Sequence, residues 1–136
     1  MALGFRGVSI VSALAFAALA VVWMFAPQLL LSDWGVESGP STELVGRRAA
    51  ALFAGMSAMF FWARNAEPSA ARSALLKGAV AACLILAALG IYELKAGHAN
   101  VRILAAVGIE VMLSLAFLYV ANKVRTAAVH NKTQRR

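Results

Sequence analysis

The sequence predicts an all-α membrane protein: a four-transmembrane-helix up-and-down bundle with both termini in the cytoplasm. Three observations carry this reading. Hydrophobic residues make up 62% of the 136-residue chain and charged residues only 14%, where soluble domains carry roughly 25% charged. The apolar residues also gather into four runs of about 20, the length a helix needs to cross a hydrocarbon core of about 30 Å. Finally, the basic residues fall mostly on one side of the membrane those runs define. Lipid is therefore the solvent for most of the surface.

The first span runs from Gly7 to Ala26, with Arg6 before it and the interfacial aromatics Trp23 and Phe25 at its far end. A cleavable signal peptide is the rival reading, because Arg6 gives a basic start and Ala18-Leu19-Ala20 resembles a cleavage site. The apolar run outlasts a usual signal core, continuing through Val21, Val22, Trp23 and Met24, so retention as a membrane helix is expected. Pro27 to Val45 is the longest connection, and Leu29, Leu30, Leu31 and Trp34 suit the membrane interface.

The second span covers Glu43 to Ala63, capped by Ser41 or Thr42, with Glu43 spaced to pair with Arg47. Gly46, Ala50, Ala54 and Ala58 recur every fourth residue, a pattern that lets another helix approach closely. Asn65, Pro68 and Ser69 close one helix and open the next. The third span covers Ala74 to Glu93, with Lys77 long enough to snorkel. Gly97 stops it, Asn100 caps the fourth, and the fourth covers Val101 to Ala121. Residues 1–128 thus form one transmembrane domain, and residues 129–136 read as a disordered basic tail.

Orientation follows from charge. Arg6, Arg64, Arg72, Lys77, Lys123, Arg125, Lys132, Arg135 and Arg136 share one side. The other side holds Arg47, Arg48, Lys95 and Arg102, offset by Asp33, Glu37, Glu43 and Glu93. The positive-inside bias then places both termini in the cytoplasm.

Glu110 is the main functional lead. It lies about 13 Å along its helix from Val101, near the middle of the membrane. A carboxylate at that depth needs a partner, a proton or a water-filled cavity. Ala106, Glu110 and Ser114 form one stripe, with Arg102 about 80° further round. Arg47 and Arg48 approach from the same membrane side and are the natural cationic partners. Ligand- or proton-binding candidates are therefore Glu110, Arg47, Arg48, Ser114 and Arg102. The bland alternative is a carboxyl that only ties helices together.

Other chemistry finds little support. Cys83 is the single cysteine, so no intrachain disulfide can form, and its apolar surroundings suit a small packing residue. His98 and His130 lie on opposite membrane sides, and no metal site, cofactor or catalytic set is expected. Ser114 has neither a histidine nor an oxyanion donor nearby in sequence. The net charge of +7 is spread between apolar runs and along the tail, a layout suited to anionic lipid and not to nucleic acid.

The stretches GRRAAALFAG, FFWARNAEPSAARSALLKG and VGIEVMLSLAFLY resemble small bacterial four-helix membrane proteins of unknown function. A more distant likeness is to the DoxX-like group, which implies quinone-linked oxidation or a role beside partner subunits. Small multidrug exporters also have four helices and a membrane glutamate, but theirs lies in the first helix, where this chain has no acidic residue. The resemblance implies the bacterial inner membrane as location. Three functions follow as expectations: an accessory or scaffold subunit of a membrane complex, a proton-coupled carrier or small-ligand binder centred on Glu110, and a DoxX-like oxidoreductase subunit. Lipid is the expected partner throughout, together with a second copy of the chain or another membrane subunit.

Overall fold

The computed structural model describes the backbone of residues 4–133 and the side chains of residues 4–122. Among these there are helices and connections and no strand. The elements are α1 (Phe5–Phe25), α2 (Pro27–Asp33), α3 (Pro40–Ala63), α4 (Ala70–Ala96) and α5 (Ile103–Thr133). Four segments are long and apolar enough to cross a membrane: α1, α3, α4 and Ile103–Asn122 of α5. The expected tail lies partly on the end of α5 and, at 134–136, outside the described residues.

Local chemistry explains most boundaries. Ser69 accepts a hydrogen bond from the Arg72 N–H and so caps α4. Gly97 takes the left-handed conformation that ends α4, at φ 78°. The Asn100 side chain accepts from the Arg102 N–H just before α5 begins. The expected cap of α3 at Ser41 or Thr42 is corrected. Pro40 occupies the first turn and Gly39 the cap, while the Thr42 hydroxyl receives the Gly39 N–H at 2.9 Å. The long connection also contains an unexpected helix: Pro27 opens α2, and its apolar side buries Leu31.

The helices associate as two antiparallel pairs. In the first, α1 packs on α3. The Ser57 hydroxyl donates to the Ala13 carbonyl at 2.7 Å, Phe53 faces Phe16, and Trp23 lies against Gly46. In the second, α4 packs on α5, with Val107 and Ile103 against Gly90. Small residues at Gly46 and Gly90 permit the closest approach in each pair.

Contacts at both ends join the pairs. Near one end, Phe60 of α3 stacks on Phe117 of α5 with ring centroids 5.1 Å apart. Phe60 also lies 5.8 Å from Phe16, and both Phe60 and Phe117 are wholly buried. At the opposite end is a polar clasp. Asn100 donates its backbone N–H to the Trp34 carbonyl at 2.7 Å and its side-chain amide to the Asp33 carbonyl at 2.9 Å. Arg102 donates to the Asp33 carboxylate at 2.7 Å. Gly35, at φ 74°, leaves room for the Asn100 amide against it.

The clasp supports a graded prediction. Asp33→Asn breaks only a solvent-exposed ion pair and is expected to cost under about 1 kcal/mol. Asn100→Ala removes both side-chain hydrogen bonds and is expected to cost about 1–3 kcal/mol. Thermal unfolding in mild detergent checks the order, and equal losses would show that the ion pair dominates.

Candidate functional site

Glu110 sits at the seam between the two pairs. With 100° per residue, it lies about 60° round α5 from Val107, which meets α4, and about 20° from Phe117, which meets α3. It is half-buried, and its Oε2 has no hydrogen-bond partner among the described residues. One turn on, Ser114 is buried, and its hydroxyl has the Cys83 thiol of α4 as its polar neighbour. Cys83 of α4 faces Ser114 and lies within electrostatic range of Glu110. It is buried in the core, the packing position its apolar surroundings suggest.

The expected ion pair with the arginines is not formed. Arg47 instead pairs with Glu43 at 3.1 Å and stays half exposed, the local alternative the i,i+4 spacing allows. Arg48 is exposed. The reason is rotational. Phe60 marks the side of α3 that meets α5, and Arg47 and Arg48 lie about 140° and 120° from it. The small-residue face likewise meets α1 and not the fourth span: Gly46 and Ala50 are buried there, and Ala54 lines a lipid-side groove. Arg102 reaches the clasp, bonded to Asp33, and not Glu110. Of the five candidates, then, the fold brings Glu110 and Ser114 together and leaves the three arginines apart.

Two further residues belong here that the sequence reading passed over. Ser9 and Ser12 of α1 are both fully buried, and neither hydroxyl has a hydrogen-bond partner. Ser12 is turned about 100° from Ala13 and about 140° from Ala17, residues that line a groove shared with α3. The available signal was composition: Ser9 and Ser12 are the only hydrogen-bonding side chains of the first apolar run apart from the Trp23 indole.

These groups carry an energetic message. A buried polar group without a partner costs about 1–3 kcal/mol, and in lipid no outside water relieves it. Ser57 shows the usual solution, bonding a carbonyl of the neighbouring helix. Ser9, Ser12 and the Oε2 of Glu110 lack that solution among the described residues.

Metal ligation has no such cluster. Among the described residues no three His, Cys, Asp or Glu side chains converge, and His98 pairs with Glu93 at 2.8 Å in the α4–α5 connection. Against protein-family models, curated proteins and solved structures alike, comparison of the chain found no match.

Proposed function

We propose that this chain is an inner-membrane up-and-down bundle that reversibly binds a proton, coupled to a small polar ligand, at Glu110. The observation that carries the reading is the seam position of Glu110, with Oε2 buried, without a hydrogen-bond partner and in no ion pair with a described arginine. A membrane carboxyl with neither an ion pair nor a hydrogen-bond partner is free to exchange a proton. The Ser114 hydroxyl, one turn along α5 from it, can donate and accept, as a polar ligand requires.

Infrared spectroscopy of the purified protein tests this through the protonated-carboxyl band as pH is varied. The band is expected to titrate reversibly and to vanish in Glu110→Gln. A carboxyl band that never changes with pH, or one that survives the substitution, would remove the proposal.

A second reading, an accessory subunit of a membrane complex, draws on the lipid-facing glycines. A side chain added at Gly55, Gly78 or Gly108 would meet nothing within 4 Å, so these backbones are open to a neighbouring helix. Co-purification in several gentle detergents tests it, and a consistently solitary protein would count against it.

Both readings use the same orientation, supported by the basic residues gathered near the termini and the α3–α4 connection. In a chain with Cys83 replaced by alanine, a cysteine at Glu37 is expected to label from outside intact cells and one at Thr133 is not. The reverse pattern would invert the topology.

A further inference from the structure

The α4–α5 pair carries a recess, away from Glu110, that joins positive charge to an apolar groove. A small cavity of about 60 Å³ lies at the start of α4, bordered by Ser69, Arg72 and Ser73. An apolar groove of about 250 Å³ between α4 and α5 has Lys77, Val80, Ala81, Leu84 and Leu118 in its walls. Leu76 and Ala121 line both, so cavity and groove form one continuous recess. From Ser73 to Leu84 it runs about 16 Å along α4. One membrane leaflet is about that deep, half of a hydrocarbon core of roughly 30 Å.

The polar end suits a negative group. The Arg72 guanidinium lies 3.8 Å from the centre of the Phe5 ring and donates to the Ala66 carbonyl at 3.2 Å. Those contacts hold it in place and leave further N–H donors to spare. Ser69 accepts from the Arg72 backbone N–H, and its own hydroxyl still has a proton to donate. Lys77 is exposed one turn beyond Ser73, and helical side chains lean toward the helix start, here the polar end. Among the described residues neither cation has an ion-pair partner, and the exposed Glu67 pairs with neither.

Charge and shape together select the occupant. A larger groove of about 480 Å³ between α1 and α3 has no charged residue in its walls. A free phosphate would use the polar end of the α4–α5 recess and leave the apolar run empty. A neutral lipid would use the run and leave two cations uncompensated. We propose that this recess binds one anionic phospholipid, its phosphate at Arg72, Lys77 and Ser69 and an acyl chain along Val80, Leu84 and Leu118. Basic pockets between membrane helices recognise such headgroups by the same combination of charge and shelter. The site is independent of proton exchange at Glu110, which lies about 16 Å along α5 from Ala121.

Native mass spectrometry of the full-length protein tests this in micelles holding equal phosphatidylglycerol and phosphatidylcholine with the same palmitoyl and oleoyl chains. The parent is expected to retain one phosphatidylglycerol in preference to phosphatidylcholine. A cation beside anionic lipid is worth about 1 kcal/mol, or about fivefold. Lys77→Gln is therefore expected to lower the preference about fivefold, and Lys77→Arg to keep it. Ala81→Trp fills the apolar run and is expected to abolish retention; should it fail to fold, Leu84→Trp blocks the run one turn deeper. Arg6→Gln removes an exposed cation at the same end but outside the recess, and is expected to change nothing. Inorganic phosphate at millimolar concentration is expected to leave the lipid bound. Equal retention of both lipids, or a fall in Arg6→Gln as large as in Lys77→Gln, would mean ordinary lipid contact with a basic surface and overturn the site. Displacement by phosphate, or full retention with the run blocked, overturns it as well. None of these outcomes bears on the carboxyl band of Glu110.

Discussion

Replacing Phe60 by alanine is expected to destabilise the protein by about 3–5 kcal/mol, the usual range for deleting a fully buried aromatic ring. Phe60 is the side chain through which three helices meet, stacked on Phe16 of α1 and on Phe117 of α5. Its removal leaves a cavity where the two helix pairs join, and the clasp at the other end cannot fill it. Lipid tails are as apolar as the lost ring, so most of the cost is lost packing and not lost hydrophobic transfer. Thermal and denaturant unfolding in mild detergent measure it. Phe117→Ala in the same chain should add less than its separate cost, because the two rings share a contact. Full additivity would mean that the pairs are held together elsewhere.

Gly90→Ala is expected to cost about 1–3 kcal/mol, although alanine is the better helix former. A Cβ at position 90 would sit 2.6 Å from Cγ2 of Val107. Val107 is branched at Cβ and its side chain turns only with difficulty in a helix. The α4–α5 pair must therefore spread. Val107→Ala removes the opposing methyl groups and should recover much of the loss when combined with Gly90→Ala. If the single variant is as stable as the parent, the close approach of α4 and α5 is not a constraint. Gly46→Ala makes a parallel case against Trp23, whose ring also packs on Trp34 5.7 Å away. Its strain is expected to reach the clasp.

Much of the architecture was legible in the residues. Four apolar runs of membrane-crossing length have no other stable form in lipid, because the backbone must satisfy its own hydrogen bonds. Ser69 and Gly97 marked their helix boundaries because cap chemistry is local. Glu43 and Arg47 found each other for the same reason, lying one turn apart. Glu110 could be singled out because a lone carboxylate in an apolar run is costly wherever it points.

The partners of Glu110 could not be read in the same way. Arg47, Arg48 and Glu110 share a membrane side in the sequence reading, but that does not determine how each helix is rotated about its own axis. Rotation is set by which small and aromatic residues interlock: Trp23 over Gly46, Val107 over Gly90, and Phe60 on Phe117. Those contacts turn Arg47 and Arg48 away from the seam and turn Glu110 and Ser114 toward it. They also bury Ser9 and Ser12, which in sequence are only two small polar residues in a long apolar run. The sequence by itself determined four apolar runs long enough to cross a membrane and a lone carboxylate within the last of them. Tertiary packing decided that this carboxylate has the Cys83 thiol within electrostatic range and no arginine paired to it, because helix rotation depends on side-chain contacts between segments far apart in the chain.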